Sequence, residues 1–191
     1  MAAEWWALGV SILALVITLA RDFIKPFLFK PRISLLGIDD GECVQKASDK
    51  LYNIESIWLR LKLINKYSFW SIPAKNCYVK LLSVKNSSGE KIIPLESLPL
   101  PWVSYDGDFI GSRHDLSVGE YHMIDLVYEY PHRRVLEFKI HVPVDLMKEA
   151  EKKLGVGIYT IKVAVYGDNF KPLFKHIKVK LTDKFGELNF A

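Results

Sequence analysis

The sequence predicts a mainly β fold, an N-terminal transmembrane helix followed by an antiparallel β-sandwich that contains one short helix. Three observations carry this. Sixteen residues from Trp5 to Ala20 hold no charge. Beyond Pro31 the hydrophobic period changes from helical to alternating. The alternation then recurs in several segments divided by turn signals, with no βαβ rhythm. A chain of 191 residues, 50% hydrophobic and 25% charged, can build a real core, and only 11 Gly and 9 Pro exclude collagen-like and low-complexity chains. Residues 1–31 are read as transmembrane helix and juxtamembrane linker, and residues 32–191 as the sandwich.

The first element is the apolar run. As a helix it spans about 24 Å, somewhat short of a hydrocarbon core of about 30 Å. Its flanks extend it. Trp5 and Trp6 suit one interface, Leu8, Val10, Ile12, Leu13, Leu15, Val16, Ile17 and Leu19 suit the lipid, and Arg21 can snorkel to the other interface. Pro26 and Pro31 interrupt any further helix. A signal peptide would carry a basic start and a small-residue cleavage site, but Met1 to Glu4 has no base and Ala20 precedes Arg-Asp. A buried core helix is the other reading, but a single small domain would struggle to cover a terminal segment that is apolar on every face. Arg21, Lys25, Lys30 and Arg32 follow the run and no base precedes it. The positive-inside rule therefore predicts a single-pass protein of the cell membrane with its C-terminal domain in the cytoplasm.

These four bases also account for much of the net charge of +4, since with Glu4 and Asp22 removed the remaining chain holds 22 bases and 20 acids. A nucleic-acid footprint needs a basic patch within the domain, so no nucleic-acid partner is expected.

Arg32 to Ile38 reads as the first strand, closed by the turn-rich Gly37-Ile38-Asp39-Asp40-Gly41. In the next, Ile57, Leu59, Leu61 and Leu63 share one face against Trp58, Arg60 and Lys62. Cys77, Val79 and Leu81 mark a third, which ends at Asn86-Ser87-Ser88-Gly89, with Lys91 to Ile93 pairing back. The Asn86 sequon would matter only in an exported chain. Pro94 to Trp102 contains three prolines, which deny ladder donors and predict an extended crossing or edge segment. Met123 to Tyr130 and Val135 to Val142 are two more strands, and Val144 to Leu154 has the composition of the short helix. A final hairpin sets Tyr159, Ile161, Val163 and Val165 against Ile177, Val179 and Leu181 across Gly167-Asp168-Asn169. Seven to nine such strands are most simply stacked as two sheets of immunoglobulin-like type.

Leu61-Lys62-Leu63-Ile64-Asn65-Lys66, followed by Pro73-Ala74-Lys75-Asn76-Cys77-Tyr78-Val79-Lys80-Leu81, resembles microbial single-pass membrane proteins with an immunoglobulin-like (CARDB-like) β-sandwich. Pro99-Leu100-Pro101-Trp102 and Gly157-Ile158-Tyr159 fit the same pattern, and the likeness runs from Leu51 to Leu181. Where those domains often place Gly after the Asn, this chain has Lys66-Tyr67-Ser68-Phe69-Trp70, a longer and more aromatic loop. The resemblance implies a fold and an adhesive or scaffolding role, and it transfers no catalytic residue.

Motifs for chemistry are sparse. Asp106 and Asp108 resemble the start of a calcium loop, but Ser117 stands where an EF-hand needs Glu. His114, His122, His132, His141 and His176 lack helical ligand spacing. Ser112, His114 and Asp115 are crowded into one loop rather than converging from separate elements. No phosphate-cradling glycine motif occurs. Cys43 and Cys77 could pair in an oxidising compartment, but the inward topology favours buried free thiols. No catalytic, metal or cofactor residue is assigned. Tyr67, Phe69, Trp70 and Trp102, in loops or the proline-rich crossing, are candidate interaction anchors, with closure of the core at the end of the sandwich as the equal alternative.

The expected function is therefore a membrane-anchored, non-catalytic binding or scaffolding protein that meets the bilayer through residues 5–20 and a protein partner through those aromatics. Two alternatives stay open. One is a metal-dependent or hydrolytic enzyme using Asp106, Asp108, His114 and Asp115. The other is an exported β-sandwich binding protein.

Overall fold

The computed structural model describes residues 2–20, 28–49, 54–92, 97–103, 113–130, 137–140 and 154–191. Helix α1 covers Ala2–Leu19. After it come β1 (Ile33–Leu36), β2 (Val44–Asp49), β3 (Ile54–Asn65), β4 (Ala74–Lys85), β5 (Leu98–Pro99), β6 (His114–Leu116), β7 (Tyr121–Tyr130), β8 (Glu137–Ile140), β9 (Gly157–Tyr166), β10 (Leu173–Leu181) and β11 (Asn189–Phe190).

The expected helix is present, but the expected transmembrane span over residues 5–20 is not supported. Among the described residues no helix is long and apolar enough to cross a membrane. The 18 residues of α1 rise about 27 Å, a few ångströms less than a hydrocarbon core. Trp5, Trp6, Leu8, Val10, Ile12, Leu13, Leu15, Val16, Ile17 and Leu19 are all exposed. Arg21 lies outside the described residues. The hydroxyls of Ser11 and Thr18 donate to the carbonyls of Ala7 and Ala14, each at 2.9 Å, so both are satisfied within the helix.

The strands form two antiparallel sheets. One runs β1-β3-β7-β8, with β2 on the same edge of β3 as β1, and the other runs β11-β10-β9-β4-β5, with β6 also on β4. Their inner faces close on Ile57, Leu59, Leu61 and Leu63 from β3, Cys77, Val79 and Leu81 from β4, and Ile161, Val163, Val165, Ile177, Val179 and Leu181 from the β9–β10 hairpin. These are the positions that alternation assigns to the core. The expected helix over 144–154 falls outside the described residues except for Leu154, which is buried.

Among the described residues three bulges change the phase of the alternation, the first at the start of β4, where the inward set passes from Ala74 to Cys77. On β7, Leu59 pairs with Val127 but Arg60 with Asp125, so Leu126 is the extra residue. Before it Ile124 faces inward and Asp125 outward. After it Val127 and Glu129 face inward, and Tyr128 turns out to stack on Trp58 at 4.8 Å. On β4 the register shifts at Leu82, which moves the inward phase from Val79 and Leu81 to Val84.

The proline-rich segment is indeed a crossing. Leu100 N–H donates to Val79 on β4 at 2.9 Å, and then Val103 N–H donates to Met123 on β7, also at 2.9 Å. Within four residues the chain passes from one sheet to the other, and prolines at 99 and 101 fit because a crossing strand does not need every donor. At the C-terminal end, Phe190 N–H donates to Asp39 at 2.8 Å and the Phe190 ring packs so close to Gly37 that a Cβ there would lie 2.7 Å from it. The turn after β1 is thereby fastened to β11 of the opposite sheet.

Candidate functional site

At the end of the sandwich where β3 stops, Asn65 is fully buried. Its Oδ1 accepts from Arg32 N–H at 3.0 Å, and its Nδ2 donates to the carbonyls of Ile72 at 2.8 Å and Leu116 at 3.1 Å. One amide thus ties together the start of β1, the far side of the β3–β4 loop and the end of β6. The neighbouring backbone reinforces it, since Asn65 exchanges bonds with Glu120 and Gly119, and Lys66 N–H donates to Arg32 at 2.9 Å.

The loop held this way carries three of the four predicted interaction residues. Tyr67 is 82% exposed, Phe69 81% and Trp70 44%. Trp70 packs edge-on against Phe69 at 4.8 Å and against Phe29 at 5.0 Å. The loop is internally bonded, with Ser71 N–H donating to Ser68 at 2.9 Å and Ser71 Oγ to Lys66 at 3.1 Å. Large aromatics are therefore displayed on a braced turn.

Trp102 does not join them. It is only 7% exposed, because the crossing segment bridges to Ile124 of β7 at this residue. Its ring sits edge-on to His114 at 5.2 Å and His122 at 5.6 Å, so it is a core residue rather than a surface anchor. His122 Nε2 lies 3.2 Å from Glu120, whose carboxylate also accepts from Ser117 N–H at 2.7 Å. That backbone bond, ahead of His122, keeps the Glu120 pKa below its ordinary value.

The hydrolytic reading needs Asp106 and Asp108, which lie outside the described residues, together with His114 and Asp115. Asp115 has a structural task. It pairs with Lys75 Nζ at 2.6 Å and accepts from Asn76 N–H at 3.0 Å, which together hold its carboxyl below the usual range. Asn76 stands in the left-handed region at φ 51, in the bulge where β4 meets β6. The β9–β10 turn clasps the same bulge. Asn76 donates to Asp168, Lys75 N–H donates to Asn169 Oδ1 at 2.9 Å, and Asn169 Nδ2 donates to Pro73 at 2.9 Å. His132 and His141 lie outside the described residues. Among the described residues no three His, Cys, Asp or Glu come together in a group that could hold a metal ion.

Both cysteines are free and buried. Burial raises the Cys43 thiol, and burial, aided by the charges of Asp115 and Asp168, pushes the Cys77 thiol up to about 12. Neither is a ready nucleophile.

One functional-looking group escaped the sequence. Glu129, turned inward by the β7 bulge opposite Ile57, is fully buried. Its Oε2 accepts from Gly186 N–H at 3.4 Å, and among the described residues Oε1 has no hydrogen-bond partner. Burial raises its pKa above the ordinary 4.5. Beside it a hollow opens between Lys46, Glu55, Ser56, Phe185 and Gly186.

No family model matches the chain, and no curated protein matches it. A family 123 glycoside hydrolase from Clostridium perfringens that hydrolyses glycolipid glycans aligns over 67% of this chain and 21% of its own, at 12% identity and a TM-score of 0.34. The chain spans about a fifth of that enzyme's length, and a likeness at this level carries no argument for a shared activity.

Proposed function

We propose that the chain is a membrane-attached, non-catalytic binding or scaffolding protein, with α1 buried in lipid and an immunoglobulin-like sandwich presented on the cytoplasmic side of the cell membrane. The observation that carries this reading is the surface of α1. Every large side chain from Trp5 to Leu19 is apolar and exposed, and the two hydroxyls are bonded back onto the helix. In water such a helix would leave a large apolar surface uncovered. In lipid the stretch from Trp5 to Leu19 would present no unsatisfied polar side chain. Local thinning of the bilayer and the paired tryptophans accommodate its shortness. The basic residues that follow it support the cytoplasmic orientation.

The test is fractionation of the full chain. It is expected to stay with membranes through an alkaline wash, and the double change Leu13→Asp with Val16→Asp is expected to release it. Recovery of the unaltered chain in the soluble fraction would overturn the attachment. Protease added to sealed vesicles of known sidedness then reads the orientation, with the sandwich protected from the non-cytoplasmic side.

A further inference from the structure

We propose that the β3–β4 loop is a second membrane contact, in which Tyr67, Phe69 and Trp70, with Phe29, enter the interfacial region of a bilayer carrying anionic lipid. The inference rests on the attachment of α1 and adds to it how the sandwich stands on the membrane.

Three observations favour a bilayer over a protein as the occupant. The first is continuity. Phe29, which contacts Trp70, is ten residues beyond the last residue of α1, a reach of at most about 36 Å even when fully extended. The loop is thus tethered close to any surface that holds α1.

The second is the kind of side chain. Exposed Trp, Tyr and Phe on one braced turn match the amphipathic rings that settle at the headgroup level. The third is charge. Lys30, Arg32 and Lys66 flank the aromatics and are exposed. No acidic residue occurs between Asp22 and Asp39, nor between Glu55 and Glu90. Of the acids described at this end, Asp115 is paired with Lys75, Glu120 accepts from Ser117 N–H beside His122, and Asp168 accepts from Asn76, three acids against Lys30, Arg32, Lys66 and Lys75. The end of the domain therefore faces outward with positive charge and aromatic surface, which is the complement of an anionic headgroup layer. The Asn65 bonds keep the loop, the incoming chain and the β6–β7 turn in one rigid platform, so little loop ordering is required on contact.

The experiment uses the full chain in phosphatidylcholine vesicles with and without phosphatidylglycerol. Because Cys43 and Cys77 are buried, Phe69→Cys provides a selective site for an environment-sensitive fluorophore. Ser88→Cys, in the turn beyond the other end of β4, is the control, about 37 Å away along a strand of 12 residues. The label at position 69 is expected to shift to the blue and to be quenched severalfold more by nitroxide-bearing lipid than the label at 88. Adding Lys30→Gln and Lys66→Gln is expected to weaken that quenching on the anionic vesicles. If the chain floats with the vesicles while position 69 stays as aqueous as position 88, the second contact is refuted, attachment stands, and the loop is left to a protein partner. If the chain does not float, both readings fail together.

Discussion

At the loop end of the sandwich Asn65 is fully buried and every polar atom of its side chain is used. Towards the other end of β3, across the strand from Ile57, Glu129 is just as buried, yet one oxygen holds a long bond to Gly186 and the other has no partner among the described residues. The difference separates two uses of a buried polar group. A satisfied amide adds specificity and rigidity, because each bond it makes would otherwise leave a buried group unpaired. A half-satisfied carboxyl adds a pH dependence instead. The rigid end is the one that bears the aromatic loop.

Replacing the satisfied group should produce the largest effect. Asn65→Leu strands the Arg32 N–H and the carbonyls of Ile72 and Leu116, and is expected to lower stability by about 3–4 kcal/mol in urea unfolding. A loss under about 1 kcal/mol would show that water replaces the amide and would dissolve the comparison. Glu129→Gln should act in the opposite direction, raising stability by about 1–2 kcal/mol at neutral pH.

The sign follows from the raised pKa. The folded chain holds the Glu129 proton to higher pH than the unfolded chain does, so its contribution is complete below about pH 4.5 and is lost as the pH rises through the folded value. The variant should remove that slope, and a slope unchanged in the variant would assign it to other groups.

Between the two ends, Arg60 and Asp125 pair at 2.7 Å on the outer face, with side chains 15% and 13% exposed. Asp125→Asn is expected to cost about 1 kcal/mol, since Gln45 and the Trp58 ring still receive the guanidinium. A cost as large as that at Asn65 would place the rigidity of the sheet in its middle rather than at its end. Smallest of all, Tyr67→Ser with Phe69→Ser should change stability by less than about 0.5 kcal/mol, because both rings lie in solvent. A larger loss would make the loop part of the core and would count against its role as a contact surface.

Much of the sandwich is written in strict alternation. The inward sets of β3, β9 and β10, and Cys77, Val79 and Leu81 of β4, follow from counting by two, because a sheet with one covered face must bury every second residue. The elements that counting misses are held by distant partners. β2 reads Val-Gln-Lys-Ala-Ser-Asp and has little apolar signal of its own, while β6 and β11 span three and two residues.

Glu129 was illegible for a different reason. Counting from Ile124 and Leu126 puts Tyr128 inside and Glu129 outside, and only the bulge at Leu126, which depends on pairing with β3, reverses them. Trp102 reads as an anchor because a proline-rich crossing or edge segment offers few ladder bonds, whereas this crossing is stitched to both sheets and buries the ring. The exposure of Tyr67, Phe69 and Trp70 in a loop is legible because an aromatic run between two strands is a local signal that needs no knowledge of pairing.

The placement of Arg32 also has a mechanical consequence. A pull transmitted along the chain from α1 arrives at Arg32, where the first hydrogen bonds it meets among the described residues are those to Asn65 Oδ1 and from Lys66 N–H. Behind them the four residues of β1 lie antiparallel along the end of β3, from Ile33 opposite Asn65 to Leu36 opposite Lys62. Tension along the strand axis loads these bonds together in shear rather than one after another. A pull on this side of the domain is thus resisted in shear, and among the described residues Asn65 is the first latch to bear the strain.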